Sequence, residues 1–202
     1  MLAQSRARGH IGVRRKWTHD RGGNKRNSHT IGILRRCKAV DIRDATAEDL
    51  CAIVEIYNAA IPGRMATADL EPVRIEARRA WFGEHSSHRR PLWVIDDGGA
   101  VAGWLSFESF YGRPAYQATA ELSVYVAPEH QRKGIARRLL GEAIRRAPAM
   151  EIRTLLGFIF GHNRPSLELF RGYGFEAWAN LPRVAELDGV ERDLVIVGRR
   201  VP

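Results

Sequence analysis

Glu121-Leu122-Ser123-Val124-Tyr125-Val126-Ala127-Pro128-Glu129-His130-Gln131-Arg132-Lys133-Gly134-Ile135-Ala136 is the stretch whose reading decides the fold. Its first six residues carry the β-branched and aromatic content of a strand, and Ala127-Pro128 ends it because proline has no N–H to continue a ladder. Downstream, Ile135, Leu139, Ala143 and Ile144 keep helical spacing while Arg137, Arg138, Arg145 and Arg146 fall largely on other faces. A basic amphipathic helix therefore follows the strand. Gly134 permits a close backbone approach, and the small Ala136 leaves room in the first turn. The free N–H groups and positive dipole end of such a helix favour an anion, and a pyrophosphate is expected at Gln131 to Ala136. A solvated surface helix with an ordinary start would show the same glycine and the same charges, so the rest of the chain has to separate the two readings.

Upstream, Val40-Asp41-Ile42-Arg43 alternates as a short strand, and Thr46 with Asp49 marks a helix start before Leu50, Ile53, Val54 and Tyr57. The Pro62-Gly63 pair makes a loop of residues 61–69, and a second helix is expected over 72–83, with Ile75, Arg79 and Phe82 close to one face. Leu92-Trp93-Val94-Ile95, the turn Asp96-Asp97-Gly98-Gly99 and the run 101–107 read as a hairpin. A loop over 110–116, with Gly112 and Pro114, leads into a strand over about 117–126. Beyond the basic helix, Thr154–Phe160 is apolar on both sides and hence a buried strand. A helix over 166–172 and strands over 175–178 and 193–197 complete the chain, with no internal repeat. Strand, two helices, three antiparallel strands, helix, strand, helix and two strands is an α+β order, not the alternation of a doubly wound sheet.

The length of 202 residues suits one domain, or one domain with a tail. Charge favours the tail: residues 1–38 hold 11 Lys and Arg against the one acid Asp20, a net +10, so the total of +9 leaves −1 for 39–202. The segment 1–38 is rich in Arg, Gly, Asn, Ser and His without an apolar period, which reads as a disordered extension ahead of a folded domain over 39–202. A tether for nucleic acid or an acidic surface, and a targeting peptide, are the other readings of that segment. It lacks the apolar stretch of a secretory signal, and no run approaches the ~20 apolar residues of a membrane span. Cys37 and Cys51 are too few for a disulfide framework and no Cys/His spacing suggests zinc, so a cytoplasmic protein without a metal is expected.

The residues 39–200 resemble the GNAT N-acetyltransferases. The marks are Val124-Tyr125-Val126 followed by Gln131 to Ala136, then His162-Asn163-Arg164-Pro165-Ser166 and Tyr173-Gly174-Phe175. Within that superfamily the chain is similar to the phosphinothricin and methionine sulfoximine acetyltransferase branch, through Gly112-Arg113-Pro114-Ala115-Tyr116, Thr119-Ala120-Glu121 and Asn163-Arg164-Pro165-Ser166. The resemblance implies a mostly antiparallel sheet of six to seven strands flanked by about four helices and splayed centrally for acetyl-CoA. It implies pantetheine paired with the backbone of Val124 and Val126 as an added strand, and pyrophosphate on the N–H groups of Arg132, Lys133, Gly134, Ile135, Ala136 and Arg137. Asn163 would hydrogen-bond the pantetheine arm, and the protein would be a homodimer.

Acetyl transfer needs a neutral amine, and a peptide-like α-amine is only roughly one-seventh neutral at pH 7. A general base contributes about 10²–10⁴-fold, and Glu121, at the strand's entry and at the family's base position, is the candidate, acting through a water. A charged residue on the solvent face of a strand is the other reading, since Ala120 and Leu122 leave either face open. The oxyanion would meet a backbone N–H near Tyr125. Relatives carry Tyr or His seven residues beyond the Asn; here Phe170 stands there and cannot donate a proton. Tyr173 is the substitute acid, with packing at the helix end as its alternative, and CoA can also leave as thiolate. Arg113, aided by Tyr111 and Tyr116, would grip the acceptor's carboxylate, with Arg64 and Thr67 as further acceptor-wall candidates. His162 is expected to cap the helix after it.

The expected function is acetyl-CoA-dependent N-acetylation of the α-amine of a small amino acid or analogue, of the phosphinothricin, methionine sulfoximine or methionine sulfone type, by direct transfer. Acetylation of protein N-termini or polyamines is a second reading. A non-catalytic acyl-CoA-binding regulator, its basic tail holding nucleic acid, is a third that Phe170 keeps open. The run Leu187-Asp188-Gly189-Val190-Glu191-Arg192-Asp193-Leu194 departs from the branch pattern and weakens the case for phosphinothricin itself.

Overall fold

The computed structural model describes residues 41–202, so the basic segment 1–38 and the first residue of the expected opening strand lie outside it. The strands are β1 (Asp41–Asp44), β2 (Leu92–Asp97), β3 (Ala100–Ser109), β4 (Thr119–Val126), β5 (Thr154–Phe160), β6 (Glu176–Leu187) and β7 (Val190–Arg200). The helices are α1 (Leu50–Ala60), α2 (Ile75–Gly83), α3 (Ile135–Arg146) and α4 (Arg164–Gly172). All seven strands form one sheet in the order β1-β2-β3-β4-β5-β7-β6, the α+β arrangement expected.

Every neighbouring pair is antiparallel except β4 with β5, which is parallel and brief. Thr119, Ala120 and Glu121 pair with Thr154, Leu155 and Leu156, after which β4 runs on to Val126 and β5 to Phe160 without pairing to each other. A gap therefore opens in the middle of the sheet immediately beyond Glu121.

Alternation along β3 and β4 sorts their side chains onto two faces. Trp104, Ser106 and Glu108 share a face with Glu121, Ser123 and Tyr125, where Ile53, Ile56, Tyr57, Trp81 and Phe82 of α1 and α2 pack. Leu105, Phe107, Leu122, Val124 and Val126 share the other with Ile135, Leu139, Leu140 and Phe170 of α3 and α4. Leu139 and Leu140 are wholly buried, each stabilising the fold by roughly 2 kcal/mol, and Leu139→Ala would cost about 2–5 kcal/mol.

Two elements, α2 and β6, depart from the sequence expectation in ways that bear on the site and the edge. The helix expected from residue 72 begins at Ile75 because Asn58 clasps Val73 in extended form, donating to its carbonyl at 3.0 Å and accepting its N–H at 2.9 Å. Arg79 is exposed; Arg78 is the residue that lies against α1, its guanidinium 4.4 Å from the Tyr57 ring centroid. The strand expected to stop at Trp178 continues to Leu187 as an edge strand, absorbing Pro182 and the left-handed Arg183 (φ 54°) in an irregularity between Leu181 and Ala185. An edge needs no N–H from the proline, which is why it does not end the strand.

Candidate active site

On one side of the gap the useful groups are backbone. The Ala127 N–H bonds to Ala102 O at 3.0 Å, so by alternation Glu121, Ser123 and Tyr125 also turn their N–H and C=O groups towards β3. Leu122, Val124 and Val126 turn theirs towards β5, into the gap. Val124 and Val126 thus offer the ladder edge that an extended ligand would need. Tyr125 is different: its own N–H belongs to the β3 ladder, so the donors near it that face the gap are those of Val124 and Val126. Its ring lies on the α1–α2 face, stacked on Trp104 at 4.5 Å, and its hydroxyl donates to Ala66 O at 2.9 Å. Burial pushes that phenol's pKa well up.

At the end of this edge, Gln131, Arg132 and Lys133 are exposed, and Arg132 (φ 58°) and Gly134 (φ 82°) both take the left-handed conformation. Gly134 is the N-cap of α3, and the first helical bond runs from Arg138 N to Gly134 O at 3.0 Å. The N–H groups of Ile135, Ala136 and Arg137 precede it and have no partner within the helix. Ile135 is buried and seats the turn on the sheet where Gly103 gives way; a Cβ there would stand 2.7 Å from Tyr125 O and 3.0 Å from Ile135 Cγ2. An open β4 edge ending at an exposed, cationic helix start suits a long ligand with an amide arm and a pyrophosphate.

On the other face the groups are side chains. Glu121 stands directly opposite Glu108 in the β3–β4 register and beside Leu156 of β5. Burial, and then the Glu108 charge, push the Glu121 carboxyl up to about 7. Glu108 accepts from Trp81 Nε1 at 3.3 Å and from Ser106 Oγ at 3.1 Å. Nearby, the Tyr57 hydroxyl joins Thr67 Oγ1 and Asp69, and Arg78 bonds Asp69 at 3.3 Å. Tyr57, Trp81, Trp104 and Tyr125 make an aromatic wall, with centroids 5.1 Å apart for Tyr57 and Tyr125 and 5.8 Å for Trp81 and Trp104. Tyr57, Asp69, Arg78, Trp81, Trp104 and Glu108 were not legible as site residues. Thr67 does reach this wall, buried against Tyr57.

Three consecutive carbonyls of the α1–α2 loop are held from the ends of β4 and β5. His162 Nε2 bonds Arg64 O at 2.8 Å, Asn163 Nδ2 donates to Met65 O at 2.9 Å, and the Tyr125 hydroxyl takes Ala66 O. The helix cap expected of His162 belongs to Asn163, whose Oδ1 accepts the Ser166 N–H at 3.2 Å. Asn163 is 6% exposed, so bracing the loop and capping α4 already occupy both ends of its amide. Arg64 is not an open acceptor wall: it forks onto Asp188 at 2.7 and 3.1 Å and donates to the Ile61 and Leu70 carbonyls.

Tyr173 is likewise a brace. Its hydroxyl donates to Arg137 O at 2.7 Å and its ring covers Gly141, so the proton expected to serve the leaving group instead ties α4 to α3. Phe170 is buried against Gly157 and Phe175, a packing residue.

Arg113 lines a cavity of about 190 Å³ beneath the β3–β4 connection, together with Arg89, Arg90, Phe110, Tyr116 and Gln117. Arg90 is 8% exposed and its N–H groups meet only neutral oxygens: Ser109 Oγ and the carbonyls of Arg89, Gln117 and Thr119. No carboxylate lines this cavity among the described residues. Phe110, Tyr111 and Tyr116 cluster at its edge with centroids 4.4–5.9 Å apart, and Tyr111 is 76% exposed. Among the described residues no group of His, Cys, Asp and Glu gathers as a metal site, and no helix is long and apolar enough to cross a membrane.

The family model described as the Acetyltransferase (GNAT) family matches residues 52–175. The chain belongs to the GNAT acetyltransferases. This acetyltransferase is 52% identical over 161 residues to YwnH of Bacillus subtilis (strain 168), named as a phosphinothricin acetyltransferase, covering 79% of this chain and 98% of that one. It is 34% identical over 158 residues to the L-amino acid N-acyltransferase MnaT of Escherichia coli (strain K12), covering 78% and 92%. Among solved structures it superposes on yncA from Salmonella typhimurium, solved with its cofactor acetyl-CoA, with a TM-score of 0.76 and 31% identity over 81% of this chain and 94% of that one. The GNAT fold accounts for the central gap and the exposed helix start.

Proposed function

We propose that this GNAT acetyltransferase moves an acetyl group from acetyl-CoA to the α-amine of a small amino acid or analogue, with Glu121 as general base. The observation that carries the reading is the position of Glu121: it is the last β4 residue paired to β5, at the apex where the gap opens. The names of YwnH and MnaT, a phosphinothricin acetyltransferase and an L-amino acid N-acyltransferase, support the acceptor class.

Acetyl-CoA supplies an activated thioester. The Val124 and Val126 backbone holds its amide arm, and the N–H groups from Arg132 to Arg137 take its pyrophosphate. An ammonium acceptor reaches Glu121, which accepts one proton directly or through a water. Burial and the Glu108 charge push this carboxyl up to about 7, a range suited to taking a proton near neutral pH. The neutral amine then forms its N–C bond to the acetyl carbon as the C–S bond breaks. The gap-facing N–H of Val124 or Val126 meets the carbonyl oxygen, the sulfur leaves as thiolate, and the second proton lost by the nitrogen passes to it through water. With the hydroxyl of Tyr173 committed to Arg137 O, no protein acid is assigned to that last step.

Arg113 receives the acceptor's carboxylate. The cavity lined by three guanidiniums without a carboxylate supports this assignment, and Tyr111 and Tyr116 flank it. The enzyme acts in the cytoplasm as a homodimer, a reading supported by the exposed Trp178, Leu181 and Val184 along the β6 edge. Residues 1–38 precede the catalytic domain and are dispensable for turnover.

Following free thiol while acetyl-CoA is offered amino acids, polyamines and short peptides tests the reading. Amino acids with a free α-amine and α-carboxylate should release thiol, and their amides should do so poorly. Tight acetyl-CoA binding with no thiol released by any amine would overturn it, and preference for peptides or polyamines would move the acceptor to those classes.

A further inference from the structure

Two acidic side chains pair across β3 and β4. Glu108 and Glu121 are register partners, and continuing the alternation set by Ala127 N–H to Ala102 O makes them a hydrogen-bonded pair. Such partners have Cα atoms about 5.5 Å apart, and their side chains rise from the same face. Two like charges in one half-buried place disfavour double ionisation. Among the described residues neither carboxylate has a salt-bridge partner.

The two members are not equivalent. Glu108 accepts the Trp81 indole N–H and the Ser106 hydroxyl, while Glu121 lies against Leu156 with no donor among the described residues. The other titratable or charged groups facing the pair come from three elements. From α1, Tyr57 is held by Thr67 and Asp69. From α2 and its end, Arg78 is committed to Asp69 and the Tyr57 ring, and His85, edge-on to Trp81 at 4.8 Å, is kept neutral by burial. From β4, Tyr125 holds the Ala66 carbonyl.

We propose that Glu108 is a positioning residue for proton transfer: anchored by Trp81 and Ser106 directly opposite Glu121 in the β3–β4 ladder, it sets how readily Glu121 takes the acceptor's proton. This rests on Glu121 being the base. The proton taken from the acceptor ammonium binds the Glu121 carboxylate and is released from it to water after transfer. Burial supplies the larger part of the raised proton affinity of Glu121, and Glu108 adds to it.

The test is the pH profile of kcat/KM, paired with an NMR titration of carboxyl-labelled Glu, which needs no turnover. Glu108→Gln keeps an oxygen for Trp81 and Ser106 and removes only the charge. Its acid limb should move down by roughly half to one pH unit yet stay above the ordinary carboxylate range, because the burial remains. Ser106→Ala, which frees the Glu108 carboxyl to swing away from Glu121, should move the limb down by a few tenths of a unit at most. The NMR titration should show the Glu121 step lower in Glu108→Gln than in the native protein. A limb and an NMR step that stay put or rise in Glu108→Gln overturn the proposal. If instead Glu121→Gln keeps turnover and its acid limb, the base assignment itself has failed, an outcome distinct from failure of the pair.

Discussion

The donor face and the acceptor face of the β4–β5 gap are assembled by different means. The donor face uses backbone groups from one run of sequence, 124 to 137, with side chains that are exposed or packed elsewhere. On the acceptor face, side chains from α1, α2, β3, β4 and two loops meet only after folding. Backbone recognition needs the right conformation and little more, so it tolerates many side chains. Side-chain recognition is altered by single substitutions, and the proposed function puts base strength and acceptor choice there.

That contrast can be broken most forcefully at Glu121. Glu121→Gln should lower kcat by about 10²–10⁴-fold across pH 6 to 9, measured as thiol release. A variant that kept full activity would remove the catalytic half of the contrast. Next, Arg113→Gln should raise the acceptor KM by roughly 10–100-fold, the worth of a charged hydrogen-bonded pair, and leave the acetyl-CoA KM within about twofold. Gly134→Val should do the reverse. Its φ of 82° suits glycine although the space around it is open, so the side chain strains the turn and the acetyl-CoA KM should rise about tenfold.

The smallest effect is on stability. The folded Glu121 pKa lies above its unfolded value, so between pH 4.5 and about 7 the folded state binds more protons and loses stability as pH rises. Glu121→Gln removes this penalty and should unfold at higher urea than the native protein at pH 8, by roughly 1 kcal/mol after allowance for solvent screening. The difference should vanish near pH 4, and an equal gain at both pH values would speak against a raised pKa.

Legibility in the sequence follows the same division. The strand, the Gly134 turn and the helix that follows are local, so propensity and spacing place them. So too is Thr154–Phe160, whose bounds match the observed strand. Edges resisted: the strand expected over 175–178 runs on through Pro182, because an edge strand has no ladder bond there to lose. Glu108 could be connected with Glu121 only through the β3–β4 register, and Trp81 with Glu108 only through the packing of α2. Arg64 and Tyr173 misled for one reason. A residue type suited to chemistry was in reach, but Asp188 and the Arg137 carbonyl, distant in sequence, already hold it.

The division of labour across the gap is tested most directly by calorimetric titration of acetyl-CoA into Glu121→Gln. The account predicts a Kd within about twofold of the native protein's, since the proposed donor contacts are backbone groups of residues 124–137 and not the carboxylate. A Kd weakened tenfold or more in a folded variant would contradict it, because the carboxylate would then be part of the donor site.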